Sequence, residues 1–165
     1  MTSAVEPTTV GDLMALDPIV VRANASLDEV ADLLDHHHIS GLPVVDGSGS
    51  LVGVVSQTDL VRARSTQYLW ANWPGLAVRH LMTSPAVTVH RSTPLAIAAA
   101  RMERRHIHRL VVVADDDERR PIGILSMTDL VHSIAAASHM PEPAAAADPG
   151  SPVDAPPEPG VRDAR

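Results

Sequence analysis

The chain has 165 residues, enough for one compact unit or for two small repeats sharing a core, and a formal charge of −7. Five acidic against two basic residues after Ser138 carry −3 of that charge, so the rest is only mildly acidic and offers no basic face for nucleic acid or a membrane surface. Cysteine is absent, which excludes disulfides and thiolate metal sites, and the lack of Phe makes any core aliphatic.

Met1 to Thr9 is polar and acidic, without the pattern of a signal peptide, and is expected to be a flexible arm (residues 1–9). No apolar run approaches the roughly 20 residues of a spanning helix, so a cytoplasmic location is expected. A first βαββα unit then covers residues 10–61. Ile19 to Val21 forms a short strand, and Ser26 with Glu29 makes a capping box that opens a helix with Leu27, Val30, Ala31, Leu33 and Leu34 on its apolar face. Pro43 to Val45 and Leu51 to Val55 pair as a hairpin around Asp46-Gly-Ser-Gly49, whose glycines allow positive φ. A last helix starts near Thr58.

Residues 62–77 separate this unit from the next and hold all three aromatics, Tyr68, Trp70 and Trp73, which are expected to pack against the core or an interface. The second unit, residues 78–137, repeats the first with a shift of 68 to 70 positions. Val10-Gly-Asp-Leu-Met14 answers Val78-Arg-His-Leu-Met82, and His38-Ile39 answers His106-Ile107. Gly53-Val-Val-Ser-Gln-Thr-Asp-Leu60 answers Gly123-Ile-Leu-Ser-Met-Thr-Asp-Leu130, with five of eight positions identical. Thr93 is expected as N-cap with Pro94 at the first helical position, followed by strands at Leu110 to Ala114 and Ile122 to Leu125. Runs such as Leu110 to Ala114 predict sheets covered on both faces. After Ser138 the composition turns to Pro, Ala, Asp and Gly, with seven of the 14 prolines between Pro141 and Pro159, and residues 138–165 are expected to be a disordered tail.

The chemistry concentrates in the Ser-x-Thr-Asp element, present as Ser56, Thr58, Asp59 and as Ser126, Thr128, Asp129. Each copy lies between a strand and a helix, where free backbone N–H groups and the helix dipole favour an anion. Hydroxyls there donate to phosphate, and a carboxylate accepts from the vicinal hydroxyls of a ribose, so the pair of features reads as a nucleotide site. Helix capping is the plain alternative for the same residues. Gly53 and Gly123, inside their strands, admit a close ligand or backbone. Arg104-Arg-His-Ile-His-Arg-Leu110 closes the second unit's first helix, and His108 and Arg109 sit where the strand begins, with Arg suited to bidentate phosphate contact. In the first unit Ser40 and Gly41 stand in their place, so the two sites are expected to be unequal. His108 and Arg109 are expected to serve the Asp129 turn, making Asp129 more important for binding than Asp59. His36-His-His38 is not expected to bind metal, because consecutive helical residues point about 100° apart; no other histidine pattern suggests a metal site.

These repeated motifs resemble a tandem pair of CBS domains, the Bateman module, over Val10 to Val131. Its features are the Leu-Met then Pro-x-x-Val opening, the His-Ile then Leu-x-Val-Val segment and the Gly-x-x-Ser-x-Thr-Asp-Leu ending. The resemblance implies an α/β (α+β) fold of two βαββα repeats packed through their sheets with pseudo-twofold symmetry. It implies two clefts for AMP, ADP, ATP or S-adenosylmethionine. Asp59 and Asp129 would hold ribose, with Thr58, Thr128, Ser56 and Ser126 near phosphate. Val20, Val21, Val87 and Val89 would lie near the adenine, under apolar cover from Ile39, Leu42 and Ile107. His108-Arg109-Leu110 is similar to the phosphate-binding His-Arg-Leu element of the AMP-activated kinase gamma subunit. The family also implies a homodimer of four repeats. Ser40-Gly41 departs from the basic pattern, as does Val111 in place of a common proline.

The resulting expectation is a non-enzymatic regulatory module with no required cofactor, binding an adenine nucleotide for energy sensing and signalling to an unidentified protein. A ligand-free dimeric scaffold or partner-docking protein is the alternative. No nucleophile–base spacing and no Walker-type glycine loop supports an enzyme.

Overall fold

The computed structural model describes residues 9–66, 71 and 75–138. The N-terminal arm up to residue 8, Tyr68, Trp70 and Trp73, and the tail beyond Ser138 lie outside the described residues, and with them the expectations made for those segments.

Within these limits the elements run α1 (Val10–Leu13), β1 (Ala15–Leu16), β2 (Val21–Arg22), α2 (Leu27–His36), β3 (Gly41–Val45), β4 (Leu51–Ser56) and α3 (Gln57–Ser65). A 3₁₀ turn (Val78–His80) leads to β5 (Thr88–His90), α4 (Leu95–Arg105), β6 (Arg109–Val113), β7 (Pro121–Ser126) and α5 (Met127–Ser138). The same topology is drawn twice. β2 runs parallel to β3, which pairs antiparallel with β4, while β5 runs parallel to β6, which pairs antiparallel with β7. Even the irregularity recurs, as a register shift at Val44/Val45 and at Val112/Val113.

Local chemistry explains the boundaries. Ser26 Oγ accepts from Glu29 N at 3.1 Å, so α2 has the N-cap half of the expected capping box. The first hairpin turns where Asp46 accepts from Ser48 N and Ser50 N, and Gly49 takes φ +85°. In the second unit Pro94 is itself the N-cap of α4, so the cap and the helix start each fall one position later than expected. Thr93 Oγ1 accepts instead from His90 N at 3.2 Å, closing the turn before the helix.

All five residues of β3 and the last four of β6 are buried, as expected of strands covered on both faces. Leu27, Val30, Leu34, Leu42, Val44 and Val55 form one core, and Val89, Ala98, Met102, Leu110, Val112 and Leu125 the other.

The openings of the two sequence repeats are exchanged between these cores. Val10 and Met14 pack with the second core, and Val78 with the first. Backbone bonds fix the exchange: Val10 N donates to Thr93 O and Gly11 N to Arg91 O, both at 2.8 Å, while Val78 N donates to Ala25 O at 3.0 Å and Arg79 N to Ala23 O at 2.8 Å. β1 therefore adds an edge to β7, giving the order β1-β7-β6-β5, and Thr83 makes the matching bridge to Val54 beside β4. The matching placement of Gly53 and Gly123 in the two repeats follows from this packing. A Cβ at Gly53 would lie 2.7 Å from Thr83 O, and one at Gly123 2.8 Å from Ala15 O. It is neighbouring backbone that comes close to both glycines.

Candidate ligand clefts between the repeats

Each Ser-x-Thr-Asp element begins its helix without an intervening loop, since Ser56 ends β4 and Ser126 ends β7. Asp59 Oδ2 accepts from Ser56 N at 2.8 Å and from Ser56 Oγ at 2.6 Å, while Ser56 Oγ accepts from Asp59 N at 3.3 Å. Asp129 and Ser126 reproduce the arrangement, with 2.7 Å for both bonds to Oδ2 and 3.3 Å for the return bond. Capping is thus present at both sites. In each copy both bonds end on Oδ2, and the carboxylate also borders a cleft.

Opposite each turn lies a helix-to-strand junction. His38 and His106, at equivalent positions, take left-handed backbone with φ of 51° and 52°, so α2 and α4 stop and the chain swings into β3 and β6. Ser40 O accepts from Gln57 N at 3.1 Å, and His108 O from Met127 N at 2.8 Å, which ties each junction to the turn of its own repeat.

The clefts themselves are crossed. One, of about 270 Å³, joins Ser56, Thr58 and Asp59 to His106, Ile107, His108 and Arg109 of the other repeat, with Ala86 and Val87 as apolar wall. The second, of about 420 Å³, joins Ser126, Thr128 and Asp129 to His38, Ile39, Ser40 and Gly41, with Pro18 and Ile19 as wall. Arg109 borders both. His108 therefore faces the Asp59 turn, contrary to the expectation that it serves Asp129. The exchange of partners was invisible because linear spacing does not say which repeat supplies which wall.

Four residues expected near an adenine stand elsewhere. Val21, Val89 and Leu42 are buried in the cores, and Val20 lines neither cleft. β2 and β5 start later than the apolar runs imply, and their pairing with β3 and β6 turns Val21 and Val89 inward. Ile19 and Val87, two residues earlier, take the wall positions. Val87, Ile39 and Ile107 do line clefts, as expected. Among the lining residues not anticipated are Ala86, Ile19, Pro18, His38, His106 and His132. A shift of the β2 run by one alternation, from Val21 to Ile19, would have matched the Val87 already expected in the second unit.

Arg109 carries the main electrostatic feature. Its Nη2 donates to Ser40 Oγ at 2.6 Å, across the boundary between repeats. Its Nη1 is buried without a hydrogen-bond partner among the described residues. Burial lowers the guanidinium pKa from its ordinary value, and the nearby Asp59 charge opposes that shift.

The histidines outside the clefts have other tasks. His80 Nδ1 accepts from Ala77 N at 2.9 Å, and His90 Nδ1 lies 3.3 Å from Asp115. His36 and His37 meet edge to face at 4.9 Å. Among the described residues no cluster of His, Cys, Asp or Glu is arranged to hold a metal ion.

Residues 10–66 and 78–136 each match the CBS domain family. The CBS domain pair of protein MJ0100, solved in complex with 5′-methylthioadenosine and S-adenosyl-L-methionine, superposes with a TM-score of 0.71 at 30% identity, covering 79% of this chain and 99% of that one. CBSX2 in complex with AMP superposes with a TM-score of 0.68 at 32% identity, covering 81% of this chain and 100% of the other; CBSX2 is from Arabidopsis thaliana. Among curated relatives, a homoserine O-acetyltransferase of Methanocorpusculum labreanum is 36% identical over 124 residues, 75% of this chain and 24% of the relative. An inosine-5′-monophosphate dehydrogenase of Mycobacterium tuberculosis is 32% identical over 119 residues, 72% of this chain and 21% of the relative. The chain thus spans about a quarter or less of the length of these enzymes.

Proposed function

This chain belongs to the CBS domain family as a tandem pair, and we propose that it is a non-catalytic sensor whose clefts take an adenine derivative, AMP, ADP, ATP or S-adenosylmethionine, and report occupancy to a partner protein. The observation that carries the proposal is the composition of the cleft at Asp59. It offers a carboxylate for ribose hydroxyls, Thr58 at a helix start, the Arg109 guanidinium beside the His108 imidazole, and the apolar wall of Ala86, Val87 and Ile107. These are the complements of sugar, phosphate and base. The complexes of the MJ0100 pair and of CBSX2 with adenine compounds support the same class of ligand.

Because each cleft draws on both repeats, a ligand bound there touches both and favours the relative arrangement in which its contacts are best. Such a ligand shifts the arrangement only by its difference in affinity between the two states. With AMP, ADP or ATP as ligand the module would read energy status. Val61 and Val131, equivalent positions on α3 and α5, are 68% and 55% exposed, and we propose that they belong to a homodimer face. Among the described residues no helix is long and apolar enough to cross a membrane. The absence of cysteine is in keeping with the proposed cytoplasmic location.

A thermal-shift screen of nucleotide-free full chain against AMP, ADP, ATP, NADH and S-adenosylmethionine tests the proposal. At a hundredfold excess over its dissociation constant a true ligand adds about 2.7 kcal/mol of stability. No shift with any of them would favour the alternative, a ligand-free dimeric scaffold or partner-docking protein acting through the aromatic linker or the tail.

A further inference from the structure

Positions 41 and 109 are equivalent in the two repeats. Each opens a central strand, and each is in register with the Ser of its own turn, Gly41 with Ser56 and Arg109 with Ser126. The two positions also meet in space. A Cβ on Gly41 would fall 1.5 Å from Nη1 of Arg109 and 2.7 Å from its Cζ, and Ser40 Oγ accepts from Nη2 at 2.6 Å. The slot between the clefts therefore holds one long side chain. A second arginine at position 41 would overlap the first and set like charges together. Ser40-Gly41 is the seat that the Arg109 guanidinium needs.

We propose that Arg109 is one anion-binding group shared by both clefts, so that a phosphate-bearing ligand in one cleft takes it from the other, and the second cleft is left to an adenine derivative without phosphate. The inference rests on the nucleotide reading above and adds to it a rule for how the two clefts divide their ligands. Two observations support it. Arg109 borders both clefts, and its buried Nη1 has unspent donor capacity that a phosphate oxygen would satisfy. His108, which borders the Asp59 cleft, makes that cleft the first to take an anion.

Calorimetric titration of nucleotide-free full chain with AMP, and separately with adenosine, tests this. One AMP per chain is expected to bind tightly, with any second AMP weaker by about tenfold or more. In Arg109→Ala and in Arg109→Gln, which keeps a donor for Ser40 without the charge, the tight AMP affinity is expected to fall about tenfold or more. The gap between the two AMP affinities should then narrow, with only the preference contributed by His108 left, and adenosine binding should be unchanged. Equal AMP affinities in the unmodified chain would overturn the sharing alone, as would a loss in the variants that strikes AMP and adenosine alike. Binding of neither compound would overturn the nucleotide reading and the sharing together.

Discussion

Ser56, Asp59, Ser126 and Asp129 each serve the fold before they serve any ligand. Their reciprocal bonds cap α3 and α5, so Ser56→Ala and Ser126→Ala are each expected to cost about 1 kcal/mol of stability, measured by denaturant unfolding. A cost near zero would mean that the caps are dispensable and that the serines are held for another reason. Asp46 offers a second case at this scale. The Ser48 hydroxyl first, then the Ser50 backbone N–H, hold its carboxyl below the usual value, with Arg119 across the repeat boundary adding to the effect. A folded-state pKa below the unfolded one stabilises the fold above the unfolded pKa, and that stability is lost as pH falls through the folded pKa. The gap in melting temperature between the unmodified chain and Asp46→Ala should therefore be full above about pH 5 and shrink as the solution is acidified further. A gap that stays constant down to acid pH would contradict it.

At the scale of elements, the exchange of opening segments makes the two glycines structural. Gly53→Ala or Gly123→Ala drives a Cβ against a backbone oxygen that cannot swing aside, and a loss of about 1–3 kcal/mol is expected for each in urea unfolding. The element types were legible from sequence because hydrophobic periodicity, the Asp46-Gly-Ser-Gly49 turn and the Ser26 cap are local signals. The strand starts were not. β2 and β5 are short, and it is their parallel pairing with β3 and β6 that decides whether Val21 or Ile19 faces a cleft. Pairing of that kind is a tertiary fact with no trace in the strand's own residues.

For the whole molecule, the repeat was legible and the crossing was not. Comparing the copies found Asp59, Asp129, His108 and Arg109, but alignment treats each unit as self-contained. The packing instead places His108 opposite Asp59, and Arg109 between both clefts. The asymmetry of Ser40-Gly41 against His108-Arg109, which in the sequence predicts two unequal sites, is in the packing a steric requirement at the centre of a pseudo-twofold pair. The outer face has its own test. Val61→Asp with Val131→Asp is expected to halve the solution mass seen by light scattering if α3 and α5 form the dimer face, whereas an unchanged mass would place the interface elsewhere.

Each proposed ligand cleft is walled by both repeats. Titrating AMP into isotope-labelled full chain, with amide resonances followed by NMR, tests it most directly. Saturation of the first site should shift Thr58 and Asp59 together with Ile107, His108 and Arg109, residues from opposite repeats that border one cleft. Shifts confined to one repeat, joining Asp129 to His108 but leaving Asp59 untouched, would contradict the crossed clefts.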